Sequence, residues 1–290
     1  MLNLDSETNT PTHSPGSRPA RFPGARIQQP TSRKTMNIME VTNSVWEAYQ
    51  VGVYYPSEWK GRLSIEEAYQ VQMAILDRHK RGGDVQAGWK ICLNHMATKN
   101  QFHLTTPVFG FLLESNRYPS NISLSYDDLI QPGFDNELCL TFGQRLKGPN
   151  ITPLQVRQAV LSVAPALEVV ERRGDFSADL SLTIIDNVQQ KAFITGREVT
   201  DLPQNLGLHQ SEVDVFLNGE LQETTNGTDH LADPAATVAW LVNRLSDFGL
   251  ALEPGMRVMT GSITREFAPA PGDFYEAVFG HYGKVSAEIR

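Results

Sequence analysis

The stretch Asp135-Asn136-Glu137-Leu138-Cys139-Leu140-Thr141-Phe142 decides how the rest of the chain is read. Its second half alternates with period two, the pattern of an extended strand whose successive side chains point to opposite faces. Leu138, Leu140 and Phe142 then share one face, and Asp135 and Glu137 share the other. Two like charges side by side on a strand repel unless a cation lies between them. Oxygen donors of this kind suit Mg²⁺ or Mn²⁺, and two or three carboxylates leave positions open for water and substrate. The same pair would also decorate a solvated face, and the pattern alone leaves the two readings level.

A third carboxylate, Glu168, stands inside the apolar run Ala164-Pro165-Ala166-Leu167-Glu168-Val169-Val170. Burying it alone is costly, so it either has a partner or lies on an exposed face. Lys90 poses the same choice between Trp89 and Ile91. Desolvated there, it would lose its proton near neutral pH and serve as a base. Otherwise it is an ordinary surface lysine.

Working outward, short β-type runs separated by Gly, Pro and Asn follow Trp89: Ala166–Val170, Val213–Leu217, Arg257–Thr260 and Phe274–Phe279. Asn218-Gly219 predicts a two-residue hairpin turn, and His281-Tyr282 between Gly280 and Gly283 predicts a second. Two helices interrupt the strands. One begins at Thr152-Pro153 with Val156, Ala159, Val160 and Val163 inward. The other begins at Asp233-Pro234, buries Val238, Leu241, Val242 and Leu245, and stops at Gly249. Upstream, Ser64 and Glu67 form a capping box ahead of Ala68, Val71 and Ile75, and Gly82-Gly83 ends that helix. The whole reads as a β-rich α+β protein, not a doubly wound sheet. Its expected divisions are a disordered extension over 1–35, a small helical N-terminal cap over 36–86 and a β-rich catalytic domain over 87–290.

The extension call rests on Thr10–Lys34, which is rich in Pro, Ser, Thr and Arg and has almost no apolar periodicity. Its arginines allow a mitochondrial-type presequence. Asp5, Glu7 and the prolines argue against an amphipathic helix there, and Met36 is an equally good start. At 290 residues with 40% hydrophobic and 20% charged positions, the composition is that of a soluble globular protein. A net charge of -8 gives no reason to expect nucleic acid or an anionic membrane as partner. An anionic substrate would need a locally positive site, which a bound metal supplies. Two cysteines, Cys92 and Cys139, are too few for a disulfide framework or a structural zinc site. No apolar run is long enough to span a bilayer, so a reducing, cytoplasmic setting is expected.

In chain order, Gly88-Trp89-Lys90-Ile91, Pro107-Val108-Phe109-Gly110-Phe111-Leu112, Asp135-Asn136-Glu137-Leu138, Pro165–Val170, Val238-Ala239-Trp240-Leu241 and Thr260-Gly261-Ser262 with Pro271-Gly272-Asp273 resemble the fumarylacetoacetate hydrolase superfamily. The likeness is to its 2-oxopent-4-enoate hydratase and 4-oxalocrotonate decarboxylase branch. That resemblance implies a mixed β-roll or barrel and a homo-oligomer. It also implies Mg²⁺ or Mn²⁺ held by Asp135, Glu137 and Glu168. The metal would chelate the carboxylate and 2-oxo oxygens of a small 2-oxo acid and stabilise an enolate. Lys90 becomes the proton shuttle, Thr260 and Ser262 position substrate or water, and the Asp186-Asn187 pair matches a structural turn. Arg265 either meets a distal carboxylate or is a plain surface arginine.

The activity this implies is hydration of a 2-hydroxy-2,4-dienoate in aromatic meta-cleavage catabolism. The alternatives are decarboxylation of an oxalocrotonate, C–C hydrolysis of an acylpyruvate, and a binding role without catalysis. The chain departs from the branch at Asp135 (usually Glu), Cys92 (Gly), Asn94 (Thr or Ser), Ala232-Asp233-Pro234 (Gly-His-Pro) and Val188-Gln189. The shorter Asp135 requires a closer strand or an intervening water.

Overall fold

The computed structural model describes residues 36–92, 106–202, 212–227 and 233–290. The proposed extension over 1–35, Asn94 and Ala232 lie outside these residues. Two helices come first, α1 (Ile38–Gln50) and α2 (Ile65–Arg81). The capping box is formed: the Ser64 side chain accepts from the Glu67 amide at 3.2 Å, and the Ser64 amide donates to Glu67 Oε2 at 2.8 Å. Ala68, Val71 and Ile75 face inward as their spacing requires, and they join one hydrophobic core with Val41 and Val45 of α1 and the sheet residues beyond.

Then come β1 (Gln86–Cys92), β2 (Val108–Leu113), β3 (Arg117–Pro119), β4 (Ile122–Leu124), β5 (Pro132–Phe142), α3 (Pro153–Ala159), β6 (Val160–Glu171), α4 (Leu180–Ile185) and β7 (Gln190–Thr195). The chain closes with β8 (Glu212–Leu217), β9 (Glu220–Asn226), α5 (Pro234–Ser246), β10 (Arg257–Met259), β11 (Phe274–Val278) and β12 (Lys284–Ile289). One sheet has the order β2-β1-β10-β5-β6-β7-β3, the other β4-β12-β11-β8-β9. Both are mixed: β1 runs parallel to β10, β3 to β7 and β4 to β12. The β-rich α+β class is therefore the observed one.

The centre of the larger sheet is the long antiparallel pair β5–β6, registered from Pro132↔Glu171 to Phe142↔Val160. Leu138, Leu140 and Phe142 are fully buried on one face, as the alternation requires. The helix predicted to extend to Val163 ends instead at Ala159, and Val160 opens β6. Val160 and Val163 are β-branched and favour strand. Val163 finds Leu140 as its cross-strand partner, so tertiary pairing takes over. The His281-Tyr282 turn also differs from expectation. A short 3₁₀ turn at Gly280–Tyr282 joins β11 to β12, closed by Phe279 N donating to Gly283 O at 2.7 Å. The Asn218-Gly219 hairpin forms with both residues at positive φ.

Gly88 shows how tightly β1 is pressed onto β10. Its φ is +153°, and an added Cβ would stand 1.8 Å from the Arg257 carbonyl oxygen. Gly88→Ala should therefore disrupt the β1–β10 pairing and lower the yield of folded protein. Ser64→Ala should cost only about 1 kcal/mol, the usual worth of an N-cap. Thermal and denaturant melts of the two variants test this ranking, and equal effects would contradict it.

Candidate active site

Three strands of the larger sheet, β1, β5 and β6, and two loops build the site. Asp135 stands directly opposite Glu168 in the β5–β6 ladder, and Glu137 stands opposite Ala166. Cross-strand partners share a face, so the three carboxylates project together, away from Leu138 and Leu140. One oxygen from each lies within 4.8 Å of an oxygen from each of the others. Glu137 and Glu168 are 1% exposed, and Asp135 is partly exposed. A small apolar cluster, including Cys139, Ala164, Ala166, Phe193 and Met259, lies on the same face of the sheet.

Lys90 enters from β1. Its register partner Met259 is in turn the partner of Cys139, which places the lysine on the same face. Nζ donates to Glu168 Oε1 at 2.6 Å and to the Val188 carbonyl at 2.9 Å, with the side chain buried. Burial opposes the ammonium, but the Glu168 carboxylate beside it holds its pKa above the ordinary lysine range. The ion pair thus favours the charged ammonium, against the loss of the proton that desolvation alone predicts.

The carboxyls shift the other way. Burial, then repulsion from Glu168 and Glu266, pushes Asp135 up to about 7. Burial, then Glu168 and Asp135, pushes Glu137 well above its ordinary range, although Gly261 N donates to its Oε2 at 2.8 Å. Burial also raises Glu168, against the pull of Lys90. Three clustered carboxylates, two of them buried and Asp135 partly exposed, face one ammonium and form a donor set that fits a hard divalent cation. Asp135, Glu137 and Glu168 are the residues that could hold it.

The segment after β10 runs alongside β5. Thr260 N and Ile263 N donate to Leu138 O and Asn136 O, at 3.2 and 2.8 Å. On the opposite face of β5, Asn136 Nδ2 donates to Thr264 Oγ1 at 2.8 Å and to the Tyr275 hydroxyl at 2.7 Å. These bonds bring Gly261 and Ser262 to the carboxylates. The Thr260 hydroxyl donates to the Leu138 carbonyl at 3.0 Å, inside the scaffold. Ser262 is partly exposed, and its single hydroxyl proton has two acceptors within reach, the Thr264 carbonyl at 3.0 Å and the Asp135 carboxylate, whose charge it eases when it turns there. Arg265 is engaged elsewhere: it pairs with Glu223 Oε2 at 3.1 Å and lies 4.0 Å from the centre of the Phe267 ring, its side chain 63% exposed.

Two backbone groups escaped the sequence reading, the Gly261 amide on Glu137 and the Val188 carbonyl on Lys90. Every residue carries such groups, so no residue type announces them. The signal available for the second was the Asp186-Asn187 turn that precedes it. Cys92, at the end of β1, is close enough for Lys90 and all three carboxylates to act on its thiol; burial pushes it up to about 12.

The raised carboxyls link metal binding to pH. Between about 4, where an unfolded carboxylic acid ionises, and the native value near 7 for Asp135, the folded metal-free chain holds more protons than the unfolded one. Stability of the metal-free fold therefore falls as pH rises through this window. A divalent cation binds the ionised form and reverses that loss. The rise in Tm produced by Mg²⁺ or Mn²⁺ should be larger at pH 8 than at pH 6. A rise of equal size at both would contradict this account.

Known proteins share this architecture. The family profile described as Fumarylacetoacetate (FAA) hydrolase C-terminal matches residues 106–290. The 2-hydroxyhexa-2,4-dienoate hydratase of Comamonas testosteroni is 29% identical over 230 residues, covering 78% of this chain and 87% of that protein. The 4-oxalocrotonate decarboxylase of Pseudomonas sp. (strain CF600) is 32% identical over 228 residues, covering 78% of this chain and 86% of its own length. The solved 4-oxalocrotonate decarboxylase from Pseudomonas putida G7, complexed with magnesium and adipate, superposes with a TM-score of 0.81 at 27% identity over 88% of this chain and 99% of that one. With the profile matching well over half of its length, this chain belongs to the fumarylacetoacetate hydrolase family.

Proposed function

We propose that this protein is a divalent-metal-dependent hydro-lyase that adds water to a 2-hydroxy-2,4-dienoate. The observation carrying the proposal is the clustered triad Asp135, Glu137 and Glu168, with the Lys90 ammonium hydrogen-bonded to one member. Relatives named as dienoate hydratases support the reaction class. A divalent ion bound by the three carboxylates would draw electron density from the substrate carboxylate and 2-oxo group. Relatives of this fold are complexed with magnesium, calcium or manganese, and the all-oxygen donor set here suits Mg²⁺ or Mn²⁺.

The chain's own residues then handle protons. Lys90 stands as an acid, paired with Glu168. It delivers a proton to C5 of the dienol and takes back the one that the 2-hydroxyl releases, leaving a 2-oxo-3-enoate and the lysine again protonated. Water then adds across that double bond, with hydroxyl at C4 and hydrogen at C3. The partly exposed Ser262, beside Asp135, orients the water or the substrate carboxylate in this reading. Thr260 acts one step back, by holding the segment against Leu138.

Decarboxylation of an oxalocrotonate is the second reading, supported by the relatives and the superposed structure bearing that name. One feature favours hydration of a monocarboxylate: the charge of Arg265 is already matched by Glu223, so it is not held ready for a distal carboxylate. Incubation with 2-hydroxypenta-2,4-dienoate and with 4-oxalocrotonate, following hydrated product against CO₂, separates the two. The expected result is hydrated product that requires Mg²⁺ or Mn²⁺. Release of CO₂ alone would transfer the assignment to decarboxylation, and no turnover of either would refute catalysis on these substrates. Glu168→Ala should abolish metal-dependent turnover; normal activity in that variant would refute the metal assignment. Because it also leaves Lys90 buried without its partner, a loss of stability of about 3–5 kcal/mol is expected, and circular dichroism must confirm folding.

A further inference from the structure

Between α4 and β7 the chain does something costly. Asn187, Val188 and Gln189 take φ values of +55°, +55° and +60° in succession. Asparagine tolerates the left-handed region, but a buried β-branched valine there is a genuine outlier. Strain of this kind persists only where surrounding contacts over-determine it, and it gathers at functional sites. Here its product is identifiable: the Val188 carbonyl, aimed at Lys90 Nζ from 2.9 Å.

The contacts that enforce the turn come from behind it. The Arg173 guanidinium donates to both Asp186 carboxylate oxygens, at 3.1 and 3.0 Å. It also donates to the Asp186 carbonyl at 3.0 Å and the Gln190 carbonyl at 3.2 Å, so one side chain grips both flanks of the three left-handed residues. Glu171 anchors its remaining arm at 2.9 Å. The Gln189 amide group donates to the Gly174 carbonyl at 2.9 Å. Asn187 is tied to β2 twice, accepting from Phe111 N at 2.8 Å and donating to Phe111 O at 2.9 Å. That approach requires Gly110, since a Cβ there would stand 2.6 Å from Asn187 Oδ1.

We infer that Arg173, Asp186 and Asn187 are positioning residues, which hold a strained turn so that the Val188 carbonyl fixes the Lys90 ammonium for proton transfer. This rests on the reading of Lys90 as the proton-transferring group. A flexible lysine held only by Glu168 would lose its aim whenever that carboxylate turned to a metal. The carbonyl is a second anchor that does not titrate, and the braced left-handed backbone presents it.

The test is a double-mutant cycle on the metal-loaded enzyme with 2-hydroxypenta-2,4-dienoate, using Asn187→Ala and Lys90→Gln. Asn187→Ala should lower kcat at least about tenfold, with KM and Mn²⁺ affinity within about twofold of the parent. In the Lys90→Gln background the same change should have no further effect, because the group it positions is gone. Independent, multiplicative losses would show a merely structural role and overturn the inference, as would a folded Asn187→Ala enzyme with parental kcat. If Lys90→Gln itself turns over at the parental rate, the reading of Lys90 fails and the inference falls with it, a result distinguishable from failure of the turn alone. Should Asn187→Ala not fold, Arg173→Lys carries the same cycle. It keeps the charge but cannot span the Asp186 and Gln190 carbonyls with one planar fork.

Discussion

Three carboxylates on one buried face of a sheet are an electrostatic problem, and much of the structure around β5 and β6 is organised by it. Desolvation raises Asp135, Glu137 and Glu168 together, and repulsion from Glu168 lifts Asp135 and Glu137 further. Within the described residues the opposing charge closest at hand is Lys90, bonded to one of the three. Such an arrangement is uncomfortable without a cation and well suited to one. The small apolar residues on the same face, Cys139, Ala164 and Ala166 among them, lower the local dielectric and make each charge count for more.

The scaffold answers that tension on the other face of the same strands. Asn136, between the two acidic residues of β5, points the opposite way and binds Thr264 and Tyr275. It thereby fastens the Thr260–Arg265 segment and the second sheet to the strand that carries the carboxylates. Leu138, Leu140 and Phe142, fully buried, supply apolar anchorage on that face, each side chain worth about 1.5–3 kcal/mol. Alternation along one strand thus divides the labour: chemistry on one side, cohesion on the other.

Proton handling is secured in a similar two-sided way. Glu168 raises the pKa of Lys90, and the Val188 carbonyl constrains where its ammonium sits. The second charge cluster, Arg173 and Lys191 with Glu171 and Asp186, is separate from the carboxylate triad in chemistry, since its two cations match its two carboxylates. It connects with the triad through backbone geometry. A buried ion pair is weak evidence for stability, and here its clearer consequence is conformational, because it surrounds three residues that would not adopt left-handed angles unaided.

Much of this was legible in the residues alone. Period-two alternation placed Asp135 and Glu137 on a face opposite Leu138, and the isolated Glu168 in an apolar run called for a partner. The capping box at Ser64 and Glu67 and the hairpin at Asn218-Gly219 are local chemistry, which needs only near neighbours in sequence. Long-range pairing decided the rest. Whether Val160–Val163 continued a helix or opened a strand depended on Phe142 and Leu140 across the ladder. Whether Lys90 was bare or ion-paired depended on a carboxylate 78 residues away. The carbonyl of Val188 and the amide of Gly261 could come only from the fold, because backbone groups are identical at every position, and what distinguishes them is where tertiary contacts force them to point.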